Sequence, residues 1–321
     1  MRWGLLSTAH INEAILGGAD ATEEATVVAV ASRDRSRAEA YAREHGIERA
    51  HGSYEALLED PDVDAAYVPL PNSMHVPWSI KALEAGKHVL CEKPLTRRVA
   101  EAEQAFDAAE RSGRLLAEAF MWRHHPQVAR LRELLDAGAI GRVRHVRAAF
   151  SFPIANQDDI RMCSELDGGS LMDVGCYCLS GTRLVAGAEP ERVYGEQVLG
   201  GDGVDIAFSA VLRFPDDVVG QFDCGFAVAK RGELVAVGEE GTITLPDPWH
   251  GRTAIIAVQG EDGIDRVDVD PVNPYALELE DFARAARGES EPLLGRDDAL
   301  AQARAIEALY ESAGEGRSVA L

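Results

Sequence analysis

Arg2-Trp3-Gly4-Leu5-Leu6-Ser7-Thr8-Ala9-His10-Ile11-Asn12 is the stretch that decides the fold. Its apolar run is too short for a helix and predicts a buried strand over Arg2 to Leu6. A turn of small residues follows, then a helical pattern from about His10 to Leu16. The same alternation continues outward. Thr26 to Ala31 reads as a strand and Ser36 to His45 as a helix. Ala65 to Val68 is a buried strand, Pro77 to Ala85 a helix, His88 to Cys91 a strand, and Ala100 to Ser112 a helix. Leu115 to Ala117 begins the last strand. Strands that alternate with helices imply a parallel sheet covered on both faces. Residues 1–122 are therefore expected to form one α/β domain.

Residues 123–321 have a different texture. Val143 to Phe152, Val204 to Phe214, Val218 to Val228 and Leu234 to Leu245 read as longer, alternating strands with breaks such as Pro215-Asp216-Asp217. This predicts a second, α+β domain built on a large, mostly antiparallel open sheet. A helix over Ser170 to Val185 is expected to cover one face. The other face is expected to carry Val146, Ala148 and Phe150 uncovered, which suggests an interface. Helices over Leu277 to Ala286 and Asp297 to Ser312 are expected to return to the first domain.

Composition narrows the function. The chain has 321 residues, 46% of them hydrophobic, enough for two real cores. No apolar run approaches the ~18 residues that cross a bilayer, and the first residues read as a strand rather than an export signal. A cytoplasmic protein is expected. The net charge of −22 disfavours nucleic acid and anionic membranes as partners. The five cysteines are odd in number and irregular in spacing, as reduced thiols would be. Cys176-x-Cys178 is too tight for half a zinc site and no His or Cys pair completes it, so no metal is expected.

The turn Ser7-Thr8-Ala9-His10-Ile11 stands where a dinucleotide fold places its glycines. Small residues there let the backbone approach a pyrophosphate and aim helix N–H groups at it; Ser7 and Ala9 are small, Asn12 is not. The second strand leaves through Ser32-Arg33-Asp34-Arg35-Ser36-Arg37. An NAD site usually has a carboxylate there. A hydroxyl and guanidinium groups suit the 2′-phosphate of NADP(H) instead. Ser32, Arg33 and Arg37 are the candidates for it, and a solvated helix start is the alternative. Asp34 is placed to cap the following helix.

Two further stretches carry the chemistry. Leu70-Pro71-Asn72-Ser73-Met74-His75 is a proline-bounded turn after a buried strand, and Cys91-Glu92-Lys93-Pro94 ends the next strand. Both resemble motifs of the Gfo/Idh/MocA family, the glucose–fructose oxidoreductase and inositol dehydrogenase group. The resemblance extends through Trp122-Arg123-His124-His125-Pro126, Gly168-Gly169-Ser170-Leu171-Met172-Asp173-Val174-Gly175-Cys176-Tyr177 and Asn273-Pro274-Tyr275, spanning essentially the whole chain. It implies a Rossmann domain and a C-terminal sheet through which relatives associate as dimers or tetramers. It also implies that Lys93 sits beside the nicotinamide and the substrate hydroxyl, with Tyr177 at the second catalytic position. Tyrosine there resembles the branch holding NADP-dependent xylose dehydrogenases and dihydrodiol dehydrogenases.

Chemistry agrees with that pair. Oxidising an alcohol needs a base for the hydroxyl proton as hydride leaves. A free phenol, with a pKa of about 10, is too weakly acidic to serve well near neutrality, and a nearby ammonium favours the phenolate. Tyr177 reads as the base and Lys93 as the group that tunes it; a core aromatic and a surface lysine are the alternatives. Asp173, four residues before Tyr177, lies on the same helix face if the helix runs through. It is a candidate substrate contact, as is Arg161, though an unpaired surface position suits Arg161 better. His75, Leu70, Pro71, Asn72, Glu92, Trp122 and Arg123 are candidate cofactor contacts; His75 serves equally well as a local cap, and Trp122-Arg123 as structural residues. The expected activity is an NADP(H)-dependent oxidoreductase of a sugar or related cyclic alcohol, best an aldose 1-dehydrogenase. A ketosugar reductase, a trans-dihydrodiol dehydrogenase and a non-catalytic NADP(H) sensor are the competing readings.

Overall fold

The computed structural model describes residues 1–321. The chain runs β1 (Arg2–Leu6), α1 (Asn12–Ala19), β2 (Thr26–Ala31), α2 (Arg35–His45), β3 (Arg49–His51), α3 (Tyr54–Leu58), β4 (Ala65–Val68), α4 (Asn72–Glu84), β5 (His88–Glu92), α5 (Val99–Ser112) and β6 (Leu116–Ala119). It continues with α6 (Pro126–Asp136), β7 (Val143–Ser151), α7 (Cys176–Ala186), β8 (Arg192–Leu199), β9 (Asp205–Arg213), β10 (Val219–Gly225), β11 (Arg231–Gly238), β12 (Thr242–Leu245), β13 (Ile255–Gly260) and β14 (Gly263–Asp268). Helices α8 (Pro274–Ala286) and α9 (Arg296–Glu315) and a short strand, β15 (Val319–Ala320), complete it. Two compact units result: Met1–His124 with Asn273–Leu300, and His125–Val272 with Ala301–Leu321.

The first unit holds a six-stranded sheet in the order β3-β2-β1-β4-β5-β6. Every pairing is parallel, as in Arg2 opposite Thr26 and Ala65 opposite His88. Crossover connections reverse direction between β1 and β4, the place where open α/β sheets bind ligands beyond their strand ends. β1, β2 and β4 are buried on both faces over most of their length, which is why they read as unbroken apolar runs. Helix α8 joins this unit through its apolar stripe: Phe282 meets Trp3 with ring centroids 5.0 Å apart. Its start is set locally. Asn273 accepts the Tyr275 N–H at 3.0 Å and donates to the Gly17 carbonyl at 3.0 Å, while Pro274 opens the helix.

The second unit holds a nine-stranded sheet in the order β14-β13-β12-β11-β7-β10-β9-β8-β15. It is antiparallel except for β10 against β7. The stretch Leu234 to Leu245, expected as one strand, is instead the antiparallel pair β11 and β12, turned at Glu239-Glu240-Gly241. Helix α7 packs on the β7, β10 and β11 strands. The expectation for the sheet's open face needs correcting. Val146, Ala148 and Phe150 do share a face, but it is the covered one, where they are 0%, 4% and 7% exposed. The open face bears Arg147, Glu196, Ser209, Val211, Gln221 and Glu233, a polar surface crossed by the Arg231–Asp223 ion pair. From Ala301 onward α9 belongs to this unit, whereas the sequence reading sent both C-terminal helices to the first.

Candidate active site

In the first unit, the sequence-derived candidates gather along one edge, where the parallel strands end. Ser7 to Ile11 leave β1, Ser32 and Arg33 leave β2, Leu70 to Asn72 leave β4, Glu92 and Lys93 end β5, and Trp122 and Arg123 follow β6 in a 3-10 turn. Ser7 adopts φ +138°, a conformation that normally belongs to glycine. The turn is held from three sides: Ser7 Oγ accepts the Ala9 N–H at 3.2 Å and donates to the Pro69 carbonyl at 3.5 Å. Asn12, fully buried, donates to the Ser7 carbonyl at 2.8 Å. So the large residue of this turn is its anchor, and the backbone keeps a glycine-like path without glycine. Such a turn, small at Ser7-Thr8-Ala9 and followed directly by α1, fits a pyrophosphate.

At the β2 exit, Asp34 caps α2, accepting from Ser36 and Arg37 N–H groups at 2.9 and 3.4 Å. Hydrogen bonds from Ser36 and Arg37 hold its carboxyl below the ordinary range. Arg35 is tied to Glu39 at 2.9 Å. Arg33 and Arg37 are exposed and make no ion pair, beside a buried Ser32. Two exposed guanidinium groups without an ion-pair partner within salt-bridge distance, in a chain of charge −22, fit a phosphate monoester.

The β4 and β5 exits are joined by His75. Its ring nitrogens lie 2.8 Å from the Pro94 carbonyl oxygen and 2.7 Å from that of Leu70. At 1% exposure, burial pushes its pKa down to about 4, so the neutral ring donates to one of them. This placement corrects the cofactor-contact reading of His75: both nitrogens face main chain, and the local cap describes it. Glu118, at 4% exposure, receives the Leu95 N–H at 2.8 Å and braces the same loop. The Tyr67 hydroxyl donates to Glu92, turning that carboxylate toward the core. Arg123 is 9% exposed and lies 3.7 Å from Asp298. Trp122, at 1% exposure, is a core side chain.

In the second unit, Gly168-Gly169-Ser170 feeds a π turn over Leu171–Gly175, which runs directly into α7. Such turns recur at functional sites. They also remove the condition under which Asp173 and Tyr177 were expected to share a regular helix face. Both glycines are required by space: a Cβ on Gly168 would stand 2.4 Å from the Arg161 carbonyl oxygen, and one on Gly169 2.2 Å from Asp205. Asp205, 2% exposed, accepts from Ser170 Oγ at 2.7 Å, Leu171 N–H at 2.7 Å and Tyr310 hydroxyl at 2.8 Å. Burial nevertheless raises its pKa.

Arg161 is not the unpaired surface residue the sequence suggested. Its guanidinium donates to Asp173 at 2.8 Å and reaches Asp159 at 3.3 Å, and Asp173 raises its pKa further. Tyr177 stands half-exposed in the first turn of α7, its ring edge-on to Phe150 at 5.4 Å and to Trp249 at 5.9 Å. Sequence reasoning missed Asn12, Glu118, Asp205 and Trp249. The glycine pair was the only available sign of Asp205, because small residues announce a close neighbour without naming it.

Two family models match the chain: an oxidoreductase family model with an NAD-binding Rossmann fold over residues 4–120, and the GFO/IDH/MocA C-terminal domain over 128–244. A D-xylose 1-dehydrogenase (NADP(+)) of Haloferax volcanii is 39% identical, with 100% of each chain covered. A solved 3-ketoreductase from Actinomadura kijaniata, complexed with NADP and TDP-benzene, superposes with a TM-score of 0.92 at 33% identity over 97% of both chains. An aldose-aldose oxidoreductase from Caulobacter crescentus, complexed with glycerol, superposes with a TM-score of 0.93 at 28% identity, covering 100% of this chain and 99% of that one.

Proposed function

The chain belongs to the GFO/IDH/MocA oxidoreductase family, and from that premise we propose that it moves hydride between NADP(H) and a carbinol carbon of a sugar or related cyclic alcohol. The best reading is an aldose 1-dehydrogenase that converts a sugar such as D-xylose or D-glucose to its lactone. Full-length likeness at 39% identity to a D-xylose 1-dehydrogenase is the observation that carries it.

When bound, NADP⁺ supplies the hydride acceptor. The chain's own residues do the rest. The turn Ser7-Thr8-Ala9-His10-Ile11 receives the pyrophosphate, and Ser32, Arg33 and Arg37 receive the 2′-phosphate. Leu70, Pro71, Asn72, Glu92, Trp122 and Arg123 shape the remainder of the cofactor site. Tyr177, as phenolate, takes the substrate hydroxyl proton as the C–H bond breaks and the carbonyl forms. The Lys93 ammonium favours that phenolate and hydrogen-bonds the substrate oxygen. Arg161 and Asp173 act on the substrate side as one ion-paired unit.

A second reading, reduction of a ketosugar, is favoured by the likeness to the 3-ketoreductase. Both readings use the same residues, with Tyr177 then donating the proton. We propose a cytoplasmic location, where thiols such as the five cysteines stay reduced; separately, no helix is long and apolar enough to cross a membrane. A homodimer or tetramer is proposed through the open sheet face, where Tyr194 and Val211 line a groove of about 440 Å³ with Arg147, Glu196, Gln221 and Glu233.

The test is NADPH formation from NADP⁺, with NAD⁺ alongside, against aldoses, polyols, cyclitols and dihydrodiols, and the reverse assay with ketosugars. Turnover of an aldose that prefers NADP⁺ is the expected result. Tight NADPH binding without turnover in either direction would overturn the reading in favour of a sensor.

A further inference from the structure

Tyr177 does not hold its own ring in place. Phe150 meets it edge-on at 5.4 Å and 80°, and Trp249 at 5.9 Å and 62°. Those two rings in turn stack on one another at 6.0 Å and 18°. Trp249 is 1% exposed, and its indole N–H donates to the Ala149 carbonyl at 2.9 Å, one residue along β7 from Phe150. The indole is thus fixed at its polar end as well as by packing.

The space it fills is cut for it. A Cβ on Gly181 would lie 2.9 Å from the far edge of the indole, and one on Gly232 would lie 3.3 Å from its near edge. Gly181 follows Tyr177 by four residues on α7, hence on the same helix face. Gly232 is on β11. The indole therefore wedges between helix and sheet beside the tyrosine. Its own loop, between β12 and β13, is pinned: buried Gln127 donates to the Pro248 carbonyl at 2.8 Å, and Asp247 receives the Arg252 N–H at 2.8 Å.

The geometry points to Trp249 as a positioning residue for Tyr177: it acts through the tyrosine ring, setting where the phenolic oxygen stands, without itself meeting substrate or cofactor. Edge-to-face aromatic contacts are directional, so a ring held by two of them from β7 and the loop has one preferred tilt. A base must hold its oxygen within hydrogen-bond reach of the proton it takes, and a displacement of about 1 Å can cost on the order of a hundredfold in rate. This inference rests on Tyr177 being the base.

Trp249→Leu, Trp249→Phe, Gly181→Ala and Tyr177→Phe, each as the full chain, form the test. Gly181→Ala is the decisive variant, since alanine suits the helix and its methyl pushes on the indole without opening a cavity. With D-xylose and NADP⁺, Gly181→Ala and Trp249→Leu are expected to lower kcat by about tenfold to a hundredfold. KM for NADP⁺ is expected to stay within about twofold, and Trp249→Phe, which keeps a ring, to recover most of the rate. Wild-type kcat in Gly181→Ala and Trp249→Leu, with Tyr177→Phe inactive, would overturn the inference and leave the assignment of the base standing. Full turnover in Tyr177→Phe would remove the base assignment itself. If D-xylose is not turned over, the ultraviolet titration of the Tyr177 phenolate, taken as wild type minus Tyr177→Phe with NADP⁺ bound, supplies the reading. A shift of about half a pH unit or more in Trp249→Leu supports the inference, and coincident curves overturn it.

Discussion

The two units place their candidate side chains in different ways. In the first, the candidate residues stand on loops at strand ends, and main-chain atoms fix them. Asn12 holds the Ser7 carbonyl, His75 bridges the Leu70 and Pro94 carbonyls, and Glu118 takes the Leu95 N–H. In the second, Tyr177 stands on a helix, and rings fix it from the side while Asp205 pins the π turn from below. The difference follows from the sheets. A parallel sheet covered on both faces offers only its edge, and loops there must be tied through their backbones. An open sheet offers a face on which a helix can lie, so packing does the placing.

The sharpest way to break the comparison is to remove one proposed catalytic group from each unit. Lys93→Met and Tyr177→Phe are each expected to lower kcat/KM for sugar oxidation by about 10²–10⁴-fold, as loss of a general base or its tuning charge does. Steady-state NADPH formation measures both. If the two act as one coupled unit, the double variant falls little below the worse single one. Multiplicative losses would separate their roles.

Next in size is the buried anchor of the second unit. Asp205→Ala strands three donors, Ser170, Leu171 and Tyr310, at a site 2% exposed. A loss of about 3–5 kcal/mol in urea unfolding is expected: three unsatisfied buried donors cost about 1–3 kcal/mol each, and removing a carboxyl whose burial is itself unfavourable offsets part of that. His75→Ala is the matched change in the first unit and is expected to cost less, because the neutral imidazole has one N–H to give. Equal losses would show the two buried polar anchors to be equivalent.

How much of this the sequence disclosed follows the same division. β1, β2 and β4 appear with the boundaries their apolar runs predicted, because burial on both faces leaves an apolar run and its length is too short for a helix. In the open sheet, alternation told which residues share a face but not which face a helix covers. Val146, Ala148 and Phe150 were therefore grouped correctly and assigned to the wrong side. Pro77 concealed the start of α4, which begins at Asn72 with the proline inside it. Candidate motif residues can be named from type and spacing. Asn12, Asp205 and Trp249 were not, because each acts on a partner distant in the chain or through a backbone atom that has no letter.

Cofactor preference tests the loop-borne half of the comparison. Arg33→Ala with Arg37→Ala is expected to raise KM for NADP⁺ by about tenfold to a hundredfold and to leave KM for NAD⁺ within about twofold, since charge-assisted hydrogen bonds to phosphate contribute about 1.5–3 kcal/mol each and solvent around these exposed side chains screens that to about half. Initial-rate kinetics with both cofactors decide it. An equal rise for the two would show these arginines to be a solvated helix start.

The smallest effect concerns Glu278, on the inner face of α8. It is 2% exposed, and neither carboxyl oxygen has a hydrogen-bond partner. Burial first, then the Glu92 and Asp281 charges, hold its pKa well above the ordinary carboxyl value. The Tyr67 hydroxyl goes to Glu92, and Glu118 and His124 line the same small cavity as Glu278. The sign follows from the direction of the shift. A carboxyl raised in the folded state is neutral in both states below its unfolded pKa of about 4.3. Above that value the unfolded chain sheds its proton while the folded one keeps it, so stability falls until the folded pKa is passed. Glu278→Gln removes this slope. The variant is expected to match or trail the wild type near pH 4 and to gain on it as pH rises, by about 1.4 kcal/mol for each unit by which the folded pKa exceeds the unfolded one. Urea unfolding across that range, read as the difference between the two proteins, cancels the other titrating groups. A difference that stays flat with pH would mean that Glu278 is ionised in the fold, and that the first unit, for all its backbone ties, also buries a charge.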